Sequence, residues 1–164
     1  MNTLLRLTTI ATIMATISAC SSNPKINSTP TNRAPFELTA SSRGPVLTLD
    51  DMLFDFEQSA LRPEAQTIVK QTANFLHDNP ERIAVIEGHT DHTGDYSYNQ
   101  TLSLARSTSV REALLASGVV EHRIQTAGFG ETRPVANNDT ATGRQANRRV
   151  EIIFQRRSEL LSSL

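Results

Sequence analysis

The sequence predicts an α/β fold of the α+β kind, a two-layer sandwich in which a mixed sheet carries its helices on one face. Three observations predict it. Leu47 and Leu49 alternate with polar neighbours, which is the period of a half-buried strand. Ala65, Ile68, Val69, Thr72, Ala73 and Leu76 recur at helical spacing. Ile83-Ala84-Val85-Ile86 is an unbroken apolar run bounded by Gly88, which reads as a buried central strand.

The elements follow in chain order. The strand alternation begins at Val46 and returns at Phe54 and Phe56, set between Asp55 and Glu57, so strand is expected there as well. Pro63 suits the opening turn of the first helix, because its missing amide is not needed there. Asp78-Asn79-Pro80 stops that helix. After the apolar strand, a polar loop over 89–96 leads into a long helix over 97–116, closed by Gly118. Residues 123–129 read as a strand, 130–147 as a loop and 150–154 as a last strand. The order is strand, helix, strand, helix, strand, strand.

The chain has 164 residues, enough for one domain of ordinary size. Its net charge of −1 and 20% charged residues fit neither a polybasic nucleic-acid binder nor an acidic disordered chain. With one Cys there is no internal disulfide and no thiolate metal cage. No run of about 18 apolar residues occurs, so no membrane-spanning helix is expected.

The N-terminal residues are not expected to join the fold. Residues 7–17 carry no charge, and Ser18-Ala19-Cys20 follows. A short apolar stretch ending in small residues is a secretory signal peptide, here 1–19. Ile17-Ser18-Ala19-Cys20 resembles the bacterial lipobox, which implies acyl chains on Cys20. Ser21 after it fits sorting to the outer membrane. Residues 20–45 hold four of the seven prolines and few apolar residues, so they read as a tether. The domain is expected over 46–157. The tail, 158–164, has no assignment.

One charge stands out on the long helix. Leu102, Val110, Ala113 and Leu114 fall within about 120° of one another, and Arg106 falls in the middle of that stripe. A buried lone guanidinium costs several kcal/mol, so Arg106 needs an anion. An internal salt bridge would supply one, and Asp91, in the loop before the helix, is the nearest candidate. The pair could instead stand at the mouth of one pocket.

The stretch over 53–154 resembles the C-terminal domain of OmpA, shared with peptidoglycan-associated lipoprotein and with the wall-binding part of flagellar stator proteins. The resemblance rests on Phe54-Asp55-Phe56 with Leu61-Arg62-Pro63, and on Gly88-His89-Thr90-Asp91 with Gly94. Tyr98-Asn99, Leu102-Ser103 and Arg106 follow, then Gly128-Phe129-Gly130-Glu131, Gly143-Arg144 and Asn147-Arg148-Arg149-Val150. The last loop is nearer to OmpA and the stator proteins than to peptidoglycan-associated lipoprotein itself.

The resemblance implies non-covalent binding of peptidoglycan through the diaminopimelate of its stem peptide. The far end of that residue is an ammonium and a carboxylate on one carbon. Asp91 matches the position that takes the ammonium. Arg106 matches the position that grips the carboxylate, where a planar fork allows two parallel bonds. The two charges are expected to pair in part without ligand. Phe56 and Glu57 match pocket positions on the first strand. Thr90, Asn99 and Leu102 lie beside the pair. Arg148 matches a basic position near the stem peptide, or is a solvated charge at the start of a strand. The implied protein is an outer-membrane lipoprotein with its domain in the periplasm.

Other readings are weaker. His89, Asp91 and His92 could suggest a zinc hydrolase, but no third ligand or general base is evident, so neither a metal, a cofactor nor catalysis is expected. Export argues against nucleic acid. A structural lipoprotein acting through envelope protein partners stays open.

Overall fold

The computed structural model describes residues 36–55 and 58–158. The segments expected to be signal peptide and most of the tether, including Cys20, lie outside the described residues, as do Phe56, Glu57 and 159–164.

Five strands form one sheet in the order β1-β2-β5-β3-β4. They are β1 (Leu38–Ser41), β2 (Gly44–Asp50), β3 (Arg82–His89), β4 (Ile124–Gly128) and β5 (Arg149–Arg156). The sheet is mixed, because β3 runs parallel to β4 and antiparallel to β5. Among the described residues three α-helices accompany the sheet: α1 (Ala65–Asp78), α2 (Tyr96–Ala116) and α3 (Ala141–Asn147).

The two faces of β3 explain its sequence. Ala84 and Ile86 point into the main core with Leu47, Leu76, Leu114 and Ile152. Ile83 and Val85 point the other way and join Val46 and Ile153 in a small second cluster. With both faces covered, the strand has no polar side to show, hence the unbroken apolar run. Fully burying such a side chain is worth about 1.5–3 kcal/mol. α1 buries its predicted stripe, with Leu76 and Thr72 fully enclosed. Phe75 adds a tilted ring contact to Phe154 of β5 at 4.5 Å.

Glycines set how close α2 lies to the sheet. Gly88 and Gly128 are cross-strand neighbours on β3 and β4. A Cβ on Gly88 would lie 2.0 Å from the Ser103 carbonyl oxygen, and one on Gly128 would lie 2.5 Å from the Leu104 amide nitrogen. The helix therefore sits in a notch without side chains. Ser103 uses the proximity, its Oγ accepting from the Gly130 amide at 2.9 Å.

Four differences from the sequence reading appear. β1 lies within the residues read as tether; it is a short edge strand whose last three residues are exposed, so it lacks an apolar rhythm. Phe54 and Asp55, the described part of the second expected strand alternation, do not continue a strand. A 3-10 turn over Asp51–Leu53 precedes Phe54, which makes only an isolated bridge to Leu61. Phe54 is nevertheless buried, which produced the alternation. The loop over 130–147 contains α3, a short polar helix that buries only Gly143 and Asn147. α1 starts two residues after Pro63 rather than on it.

Candidate functional site

The loop between β3 and α2 is built rigid. Asp95 caps α2, its Oδ1 accepting from the amides of Ser97 and Tyr98 at 2.8 and 3.2 Å. Asn99, one turn into the helix, reaches back: its Nδ2 donates to the carbonyls of Asp91 and Thr93 at 3.3 and 3.1 Å and to Glu131 at 2.7 Å. Gly94 takes a positive φ of 95° that side chains rarely adopt. Asp91 closes a small turn of its own, Oδ1 accepting from the Thr93 amide at 2.8 Å. Its side chain is thus fixed before any ligand arrives.

The other carboxylate oxygen of Asp91 accepts from Arg148 Nη1 at 2.7 Å. Arg148 also donates from Nε to Asp51, in the 3-10 turn just after β2. One guanidinium therefore bridges two acids drawn from distant parts of the chain. Burial disfavours the Asp91 charge, but the bonds from Arg148 and Thr93 hold its carboxyl below the usual carboxylate value. Burial likewise disfavours the Arg148 charge, and the two acids more than offset it.

Arg106 differs. It is only 5% exposed, yet among the described residues no carboxylate is in ion-pair contact with it. Its Nε donates to the Gln58 carbonyl at 3.1 Å, and its Cζ lies 5.2 Å from the centre of the Phe54 ring. Burial lowers its pKa; Asp51 pulls the other way and Arg148 adds to the lowering. A guanidinium stays charged under these influences. The expected partial pairing of Asp91 with Arg106 is therefore corrected: Asp91 pairs with Arg148, which enters from the start of β5 and reaches the acid first.

These groups line one cavity of about 520 Å³. Asp91, Thr90, Asn99, Leu102, Arg106 and Arg148 all face it, so six of the eight binding residues expected from sequence come together; Phe56 and Glu57 lie outside the described residues. Thr90 presents a buried Oγ1 with no partner among the described residues. Asn99 spends its amide on the loop. Asp51, Met52, Tyr98 and Arg144 also line the cavity and were not singled out. The signal for Asp51 was present: an acid directly after the alternating strand. Met52 and Tyr98 are half exposed at the rim. Another groove, of about 620 Å³, runs between α1 and α2 and has no carboxylate in its lining.

The metal reading is placed differently. Among the described residues, the three metal-capable side chains that come together are Glu87, His89 and Glu151, with ligand atoms within 4.8 Å of one another, not His89, Asp91 and His92. Arg43 already grips both oxygens of Glu87, at 2.6 and 3.0 Å, and Arg149 holds Glu151 at 2.7 Å. His89 is 1% exposed, lies against Phe129 with ring centres 5.6 Å apart, and has no partner on either nitrogen. Burial and the nearby Arg149 push it down to about 4.

Asn147, part of the last sequence motif, is a fully buried brace rather than a cavity residue. Its Oδ1 accepts from the amides of Val135 and Ala136 at 2.8 and 2.9 Å, and its Nδ2 donates to Ala136 and Asn138.

Comparison with known proteins agrees with this architecture. The chain is 44% identical over 101 residues to outer membrane porin F of Pseudomonas fluorescens, covering 62% of this chain and 31% of that one. It therefore spans less than a third of that relative's length. The peptidoglycan-associated lipoprotein of Burkholderia pseudomallei superposes with a TM-score of 0.60 at 30% identity, over 66% of this chain and 89% of the other. The cell wall anchor of the T6SS from Pseudomonas aeruginosa gives 0.64 at 31% identity, over 73% and 87%. The OmpA family model matches residues 53–148, a span that holds β3, β4, the three helices and the notch between Gly88 and Gly128, and that includes Asp91, Arg106 and Arg148: the chain belongs to the OmpA family.

Proposed function

We propose that this chain binds peptidoglycan without covalent bonds, through the free amino-acid end of diaminopimelate, and ties the outer membrane to the wall. Arg106 carries the reading. A buried guanidinium that faces a cavity and has no acid of its own among the described residues is a receptor for an anion, since leaving it alone costs several kcal/mol. Asp91 lines the same cavity and stays ionised, ready for a cation. A ligand carrying both charges on one carbon satisfies both. Asp91 then exchanges part of its bond to Arg148 for the ammonium, and Arg148 keeps Asp51. The names of two relatives, a peptidoglycan-associated lipoprotein and a cell wall anchor, support the reading.

In this reading the protein has no catalytic step. It is anchored by acyl chains on Cys20 and works in the periplasm on a tether that ends where β1 begins. Co-sedimentation of the purified protein with diaminopimelate-type sacculi tests it directly. Binding should saturate and should be displaced by free diaminopimelate. Sedimentation with lysine-type sacculi to the same extent would overturn it, because lysine has no carboxylate at its far end.

A further inference from the structure

The zwitterion reading uses one anion, at Arg106, but a second guanidinium also faces the cavity without an acid among the described residues. Arg144, on α3, is half-buried and lines the cavity with Asp91 and Arg106. The carboxylates of the described lining are already engaged. Asp55 holds Arg62 at 3.0 Å, and Asp51 and Asp91 share Arg148. Arg144 has only the Asn138 carbonyl, which accepts from Nη1 at 2.9 Å. Its remaining donors have no acceptor among the described residues.

Its position is fixed by the fold. Thr140 caps α3, its Oγ1 accepting from the Gly143 amide at 3.0 Å. Gly143 lies so close to the preceding loop that a Cβ would come 1.9 Å from the Asn137 carbonyl oxygen. Asn147 ties the far end of the helix to Ala136 and Asn138. A short polar helix buttressed in this way holds one cationic side chain at the cavity wall.

We propose that Arg144 forms a second anion subsite, for a carboxylate of the same stem peptide outside the far end of diaminopimelate. The proposal rests on the zwitterion reading of the cavity. Two carboxylates in a stem peptide qualify: the α-carboxylate of the γ-linked glutamate before diaminopimelate, and the terminal carboxylate of the alanine after it. Amidation removes either charge with little change of shape, so the wall's own chemistry would set the affinity.

Isothermal titration of the purified full-length protein in detergent tests this with four synthetic tetrapeptides, L-Ala–γ-D-Glu–diaminopimelate–D-Ala. One is the free acid, one is amidated at the glutamate, one at the terminus, and one at both. The free acid should bind about tenfold more tightly than the double amide, as a charge-assisted guanidinium–carboxylate pair requires. The single amide that loses this gain identifies the source. Arg144→Gln should bind all four with the affinity of the double amide. If the double amide binds wild type through Asp91 and the free acid binds no more tightly, the second subsite is wrong and the zwitterion reading stands. If no peptide binds, or Asp91→Ala leaves binding of the double amide unchanged, both fall. Should Arg144→Gln fail to fold, the wild-type comparison decides alone.

Discussion

Arg148 donates to Asp91 across 2.7 Å, a bond that ties the start of β5 to the loop before α2. The acid in the cavity is thereby held ionised by one arginine, while another, Arg106, has no counter-ion among the described residues. In the proposed reading, this division separates the residue that positions the acid from the residue that takes the ligand's carboxylate.

Arg106→Ala and Asp91→Ala should each weaken binding to diaminopimelate-type sacculi by roughly thirtyfold or more. Stranding one charge of an interfacial pair costs about 2–5 kcal/mol, and 1.4 kcal/mol is tenfold. Arg106 forms no internal ion pair among the described residues, so Arg106→Ala should keep a cooperative unfolding transition. Arg106→Lys keeps the charge but not the fork and should also lose binding clearly. Sedimentation of both alanine variants like wild type would rule the clamp out.

His89 should make stability fall in mild acid. Its folded value, about 4, lies below the ordinary histidine value, so the unfolded chain takes up the proton first. The contribution is complete above about pH 6.5, declines between about 6.5 and 4, and levels off below. The shift corresponds to about 3 kcal/mol. Urea unfolding at a series of pH values measures it, and His89→Gln should flatten the profile. An unchanged slope in the variant would show that other groups carry it.

Asp91 titrates in the same sense, but in a more acid range. Its folded value is depressed, so its stabilisation is present above the usual carboxylate range and is lost only as pH falls through the lower folded value. Sacculus binding should therefore persist at pH 5, where His89 has already weakened the fold, and fail only in stronger acid. Loss of binding in parallel with stability would contradict this assignment.

Gly88→Ala should destabilise the domain by about 3 kcal/mol, at the upper end of overpacking costs. The added carbon would meet backbone rather than a flexible side-chain tip. Because Ser103 and Arg106 are one turn apart on α2, a displaced helix should also lower sacculus affinity. A variant with wild-type melting temperature and affinity would mean the notch is not rigid.

Cys20→Ser should leave the protein without acyl groups and free of the membrane fraction. Mass spectrometry of the mature wild-type chain is the direct check, and absence of acyl mass at Cys20 would remove the anchor.

The fold was legible where burial has a period. α1 and the second half of α2 bury a recurring apolar face, and β3 is apolar on both faces, so their residues announce them. β1 and α3 were not legible, for the same reason in two forms: an edge strand and a polar helix bury almost nothing, so nothing recurs. Within the site, Arg106 betrayed itself as a charge on an apolar stripe. Its separation from Asp91 did not, because the group that reaches Asp91 is Arg148, which lies 57 residues away in sequence and is brought there by the pairing of β5 with β3. Spacing along a helix says which face a residue takes; only sheet register says which distant charge it meets.

The register of β1 has a mechanical consequence. Leu38 pairs with Leu47 and Ser41 with Gly44, so the chain preceding Leu38 leaves the hairpin at the end where β2 runs on into Asp51 and the cavity. A pull along that chain, resisted by a ligand held in the cavity, would not shear the hydrogen bonds together but open them one after another. Phe36, whose ring lies 6.1 Å from that of Phe75, is the first contact to give way. Sequential rupture of an edge strand needs little force and leaves β2, β5, β3 and β4 paired. Under tension β1 would thus act as a fuse, paying out a few residues of slack and limiting the load on the proposed grip while it opens.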